Sequence, residues 1–310
     1  MIALENTGIR IVVLLVLQTL WLESSHSQLP GSPAFDAEVS KQEAIYQSQG
    51  EKVPEGYVTD RSLLAYASIL SSEFDRSLAI LGPADRWLDI GAGEGRAILD
   101  YYTPRYDSMH PVGRERRGKK AQAVAMSIED RRTPHWHKTA ASLEADKIRY
   151  LSGRRLREYS LEELGRFQLI TDVIGGFSYT QYLSLFMEQV LGILELNGGF
   201  YTLLLDVLPD NGTNRTLYPD TLFLTEIANA DGSDVRVCSW LKSITCVEVA
   251  CESRMESKRP IEIYRIHKVC NSVTVPALVS LHYQAGTPPQ RLFQLGKPSP
   301  ASPGRSSTTR

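Results

Sequence analysis

The chain has 310 residues, a formal charge of −2, 42% apolar and 23% charged residues, an ordinary globular composition that can bury a core. A near-neutral balance argues against nucleic acid as a whole-protein partner. The charge is uneven, however: Arg105 to Arg157 holds fourteen Lys and Arg against six Asp and Glu, with Arg114, Arg116, Arg117, Lys119 and Lys120 in one run. That run reads first as a solvated loop and second as a local basic face.

Arg10 precedes an apolar run from Ile11 to Leu22, followed by Ser25-His26-Ser27. The run is shorter than the about 20 residues of a membrane span. Small residues at Ser25 and Ser27 suit cleavage, so residues 1–27 read as a signal-peptide-like leader and the chain as exported or secreted. The alternative is a cytoplasmic chain with a misassigned start or an amphipathic extension. Residues 28–56, rich in Pro, Gly, Ser and charge, form a loosely ordered lead-in, and one α/β domain is expected over 57–285.

The spacing of Leu63, Leu64, Ala67, Ile69, Leu70, Phe74, Leu78 and Leu81 predicts one helix, with Asp60 at its start and Gly82-Pro83 at its stop. Next comes the most informative segment of the chain. Arg86-Trp87-Leu88-Asp89-Ile90 is an apolar strand, Gly91-Ala92-Gly93-Glu94-Gly95 a glycine-dense turn, and Arg96 to Tyr102 the start of a helix. Glycines at three alternate positions remove the Cβ atoms that would hold a ligand off the backbone and permit φ > 0. Such a triplet arises by chance at roughly one in 3,000 start points. A dinucleotide fingerprint needs glycine at the sixth position, where this chain has Arg96, so NAD and FAD fit less well.

The pattern Asp89-x-Gly91-x-Gly93-x-Gly95 resembles motif I of class I S-adenosylmethionine-dependent methyltransferases. The resemblance implies a doubly wound, Rossmann-like, seven-stranded and mostly parallel sheet closed by an antiparallel C-terminal hairpin. It also implies S-adenosyl-L-methionine as cofactor, with Gly91, Ala92, Gly93 and Gly95 against it and Asp89 near its amino group; Asp89 also reads as a cap for the loop amides. Strands over Gln122 to Ile128, Lys147 to Leu151 and Phe167 to Ile174, with helices after Ser160 and from Tyr182 to Leu194, continue the alternation expected of a parallel sheet. Leu196-Asn197-Gly198-Gly199 reads as a helix stop before a strand to Asp206.

Further along, a helix over Ser239 to Ile244 precedes Cys246 to Cys251 and Ile261 to Val269, two runs that pair antiparallel as the closing hairpin. Residues 286–310, dense in Pro, Ser, Thr and Gly, are expected to be a disordered tail. The even count of four cysteines, Cys238, Cys246, Cys251 and Cys270, suits an exported chain with up to two disulfides, all three pairings being open. Their spacing, with that of the histidines, gives no zinc site.

Ligands of open α/β sheets bind beyond the carboxyl ends of the strands. There the resemblance implies that Glu129, after the second strand, accepts from the ribose hydroxyls. Arg154, after the third, stands where the family places an Asp near the adenine; an arginine cannot accept a hydrogen bond, so either a backbone group accepts from the adenine amine or the ring stacks on the guanidinium. After the fourth strand, Asp172 orients or deprotonates an acceptor and Tyr179 walls the pocket or donates a hydrogen bond, their other reading being a loop cap and a half-buried aromatic. Pro134-His135-Trp136-His137 is a second base or lid. The expected reaction is in-line methyl transfer to a small-molecule nucleophile. Two alternatives stand beside it: a degenerate cofactor-binding protein without activity, and a methyltransferase on a polyanion such as RNA.

Overall fold

The structure is a computed structural model that describes residues 61–70, 72–102, 121–210, 222–256, 259–286 and 288–296. The leader, the lead-in and the basic run Arg114 to Lys120 lie outside the described residues. The strands are β1 (Arg86–Ile90), β2 (Gln122–Met126), β3 (Ile148–Leu151), β4 (Phe167–Asp172), β5 (Leu194–Leu205), β6 (Thr225–Ala228), β7 (Asp234–Val235), β8 (Val247–Glu256), β9 (Arg259–Lys268), β10 (Leu278–Gln284) and β11 (Gln290–Leu295). Seven of them form one sheet in the order β3-β2-β1-β4-β5-β9-β8. Pairings from β3 through β5 are parallel, while β9 runs antiparallel to both β5 and β8. This is the doubly wound sheet and closing hairpin expected from the alternation.

Both faces of the sheet are covered, which strand alternation dictates. On one face Leu88, Ile90, Val124, Met126, Ile170 and Phe200 pack under α7 (Leu183–Ile193) and α8 (Val237–Lys242). On the other, Trp87, Ala123, Leu169 and Tyr201 meet α1 (Leu63–Ile69), α2 (Ser72–Ile80) and α3 (Arg96–Tyr101). The expected single first helix is two. Ser62, not Asp60, caps α1 by accepting from the Ala65 amide, and Leu70 leaves helical space at ψ 173°. Ser71 and Ser72 follow in the sequence, and serine competes with the helix for backbone hydrogen bonds.

Three other expectations need correction. α7 ends at Ile193 with Leu194 as its C-cap, and the segment Leu196 to Gly199 is a register shift within β5, with Asn197 at φ 63°, rather than a helix C-cap. Strand β4 stops at Asp172, because Ile174 adopts φ 55°. The tail expected from Gly286 contains β11, which pairs antiparallel with β10 and parallel with β6 in a second sheet of order β10-β11-β6-β7. Proline and glycine density concealed it: Pro288 and Pro289 are buried before the strand begins.

Between β3 and α7 the chain adds a 3-10 turn (Leu156–Glu158), α5 (Leu161–Leu164), whose capping box pairs Ser160 with Glu163, and α6 (Gly176–Tyr179). The four cysteines form two disulfides, Cys238–Cys251 and Cys246–Cys270, which fasten α8 and the β8–β9 hairpin. Among the described residues no helix is long and apolar enough to cross a membrane, and no group of three metal-ligating side chains occurs.

Candidate active site

The glycine turn sits at the carboxyl end of the central strand β1. Gly91, Gly93 and Gly95 have φ of 73°, 57° and 75°, the left-handed region where a side chain is strained. Two amides, of Gly91 and Ala92, donate to the Met126 carbonyl at 2.9 and 3.0 Å, so the turn is hung from the end of β2. Gly95 caps α3. Packing demands glycine here as well: a Cβ on Gly91 would lie 2.7 Å from the Gly175 Cα, and one on Gly95 would clash with the Trp136 ring, 2.8 Å from its Cε3.

Glu129 and Gly93 are brought together by a residue that sequence reasoning missed. The Tyr150 hydroxyl, near the end of β3, is 2.5 Å from the Gly93 carbonyl and 3.2 Å from the Glu129 carbonyl. Glu129 is buried, with the Arg131 guanidinium 3.6 Å from its carboxylate. Trp136, on α4 (Pro134–Ala141), meets Tyr150 edge-on at 5.2 Å between ring centroids and is itself buried. Its neighbours His135 and His137 are exposed. Within this cluster Trp136 faces inward as an aromatic support for the turn, while the two imidazoles face water.

Asp89 and Asp172 are both fully buried. Asp89 accepts from the Tyr66 hydroxyl at 3.1 and 3.2 Å and from the Thr171 hydroxyl at 2.7 Å. Asp172 accepts from the amides of Gly175 at 2.9 Å and Phe177 at 3.0 Å. Burial pushes each carboxyl up to about 7, against the pull of these donors. Each carboxylate is thus closed by protein groups. Asp89 is occupied by the Tyr66 and Thr171 hydroxyls, and Asp172 caps its own loop, the second of the two readings given to it.

Tyr179 is half-buried on the same loop, and its carbonyl accepts from the Tyr283 hydroxyl at 3.1 Å. Arg154 is turned elsewhere. Its exposed guanidinium lies 2.9 Å from Glu163 and 3.9 Å from the centre of the Tyr159 ring, so it already has a stacking partner. Arg61 and Tyr66 close the site from the N-terminal side. Arg61 donates to the Val173 carbonyl at 2.8 Å, and its charge lowers the pKa of both aspartates. In the sequence neither Arg61 nor Tyr66 stood out, because no local signal marked them.

The sheet order, the antiparallel closing strand and the glycine turn after β1 occur together. This is the class I S-adenosylmethionine-dependent methyltransferase fold. No family model and no curated protein matches the chain. Among solved structures it is similar to the N-terminal domain of EvdMO1 with SAH bound, at 13% identity over 75% of this chain and 96% of that one, TM-score 0.41. It is also similar to geranyl diphosphate methyltransferase in complex with GPP and sinefungin, at 10% identity over 74% and 99%, TM-score 0.42. A third is the N-methyltransferase NodS from Bradyrhizobium japonicum WM9, at 11% identity over 64% and 93%, TM-score 0.36.

Proposed function

We propose that the chain binds S-adenosylmethionine and transfers its methyl group to a small-molecule nucleophile by in-line displacement. The observation that carries this reading is the left-handed glycine turn at the end of β1 beside the buried Glu129, joined through Tyr150. These residues fit the cofactor: a glycine backbone for its body, a carboxylate for its ribose hydroxyls, and two buried aspartates whose ionisation a neighbouring cation would favour. When bound, the cofactor supplies a sulfonium leaving group. What remains for the protein is positioning, which can supply roughly 7 to 11 kcal/mol. Gly91, Ala92 and Gly93 present the backbone, Glu129 orients, Asp89 acts through Tyr66, and Tyr179 lines the acceptor side.

A second reading, a cofactor-binding protein without turnover, is favoured by the closure of Asp172. Methyl-labelled S-adenosylmethionine incubated with the small-molecule fraction of the native host separates the two. Label transfer supports the enzyme; saturable binding with no transfer to any component supports the binder.

We also propose export, with residues 1–27 removed and the mature chain beginning near Gln28. The leader and the two disulfides support it, since disulfides persist in oxidising compartments. Mass spectrometry of the protein from its host tests this: an intact Met1 end with four free thiols contradicts it.

A further inference from the structure

The second sheet places a fully buried arginine against the loop that follows β4. Arg291, on β11, donates through Nη1 to the carbonyls of Phe177 and Thr180, both at 2.8 Å, and through Nη2 and Nε to the Thr225 hydroxyl at 2.7 and 3.2 Å. Its fork is filled by three oxygens, none of them a carboxylate. The opposite charge is Asp172, which holds the amide of the same Phe177 from the other side. Phe177 is therefore gripped at its N–H by a carboxylate and at its C=O by a guanidinium. Burial lowers the arginine to about 10, still protonated at neutral pH.

The gripped loop leads directly to the glycine turn. Gly175 is held by Asp172 through its amide, and its Cα is so near Gly91 that neither residue has room for a Cβ: one on Gly175 would lie 2.5 Å from the Ile90 carbonyl. Backbone packed this closely transmits displacement, because interiors have little free volume. Burying a guanidinium is also a poor way to gain stability alone, since apolar groups of similar size often serve as well. What the planar fork adds is geometry: it spans two carbonyls three residues apart and a hydroxyl, which an ammonium does not match.

We propose that Arg291 is a positioning residue for the β1 glycine turn, acting through the loop 172–180 and the contact of Gly175 with Gly91. It rests on the cofactor reading only for its functional consequence. The second sheet is then part of the site's support and not an appendage.

Amide hydrogen exchange on the full chain tests it without any ligand, comparing wild type with Arg291→Lys and with Tyr283→Phe, which removes a separate tether to the same loop. Local opening sets exchange rates. The expected result for Arg291→Lys is exchange at Gly91, Ala92 and Gly95 faster by about tenfold, with the β8–β9 hairpin unchanged; Tyr283→Phe gives a smaller change of the same sign. Changes confined to β6, β10 and β11 overturn the proposal. Titration with S-adenosylmethionine is the second arm: if wild type binds and Arg291→Lys binds equally well, the functional consequence is overturned. If wild type does not bind at all, the cofactor reading fails while hydrogen exchange still decides the role of Arg291.

Discussion

The Tyr66 hydroxyl lies 3.1 and 3.2 Å from the two carboxylate oxygens of Asp89, so helix α1 rests the polar tip of Tyr66 on the end of the central strand. With Asp172 equally buried at the end of the neighbouring strand, two carboxyls are held in low dielectric. Their pKa values of about 7 give the fold a pH dependence. Above about pH 4 the unfolded chain has lost both protons, while the folded chain keeps them to about 7. Stability therefore falls as pH rises from about 4 to 7, by about 1.4 kcal/mol per pH unit for each group, and levels off above. Thermal melts across that range should show the decline, and Asp89→Asn should reduce its slope. A slope unchanged in that variant contradicts the assignment.

The same two groups predict proton-linked binding. A cation beside them favours their ionised forms, so S-adenosylmethionine should bind more tightly as pH rises through about 7 and should release protons on binding near pH 6. Calorimetry in buffers of different ionisation enthalpy measures the number released. Zero release at that pH counts against a site beside Asp89.

Trp136 should matter more than its exposed histidine neighbours. It is buried against Gly95 and Tyr150, so Trp136→Ala should cost about 3 to 5 kcal/mol by cavity formation. His135→Ala and His137→Ala, at exposed positions, should each fall within about 0.5 kcal/mol of wild type. Chemical denaturation of the three variants checks this. Comparable losses at all three positions would refute the inward placement of Trp136.

The disulfides should be structural staples. Cys238–Cys251 and Cys246–Cys270 close segments of 13 and 24 residues, each worth about 2 to 4 kcal/mol when unstrained. Reduction should lower the melting temperature and speed exchange in the β8–β9 hairpin before the β1–β4 strands. Uniform loosening of the whole sheet is the contrary result.

The parallel half of the fold was legible because its signals are local: apolar strands, a glycine turn and helices recur within short windows. The closing hairpin was legible as alternating runs. The second sheet was not, since β6 and β7 are short, β11 pairs with β6 from beyond the β8–β9 hairpin, and β11 begins just after Pro288 and Pro289. Site residues divided the same way. Gly91, Gly93 and Gly95 announced themselves by spacing after one strand, whereas Glu129, after the next, was expected only from the resemblance. Tyr66, Tyr150 and Arg291 act across the fold, on partners 23, 57 and 114 positions away, where no window of sequence joins them. Asp172 was visible as a residue, but its direction, toward its own loop amides, is set by the left-handed turn at Ile174.

The central claim is that the β1 glycine turn holds S-adenosylmethionine, and calorimetric titration of wild type and Gly93→Val tests it most directly. Gly93 has φ 57°, where a β-branched residue is strained by about 1 to 3 kcal/mol and its side chain would stand between ligand and backbone. Wild type should bind S-adenosylmethionine and S-adenosylhomocysteine but not NAD, and Gly93→Val should bind none of them while keeping the wild-type circular dichroism spectrum. Equal affinity in the two proteins, or no binding of S-adenosylmethionine by wild type, would contradict the account.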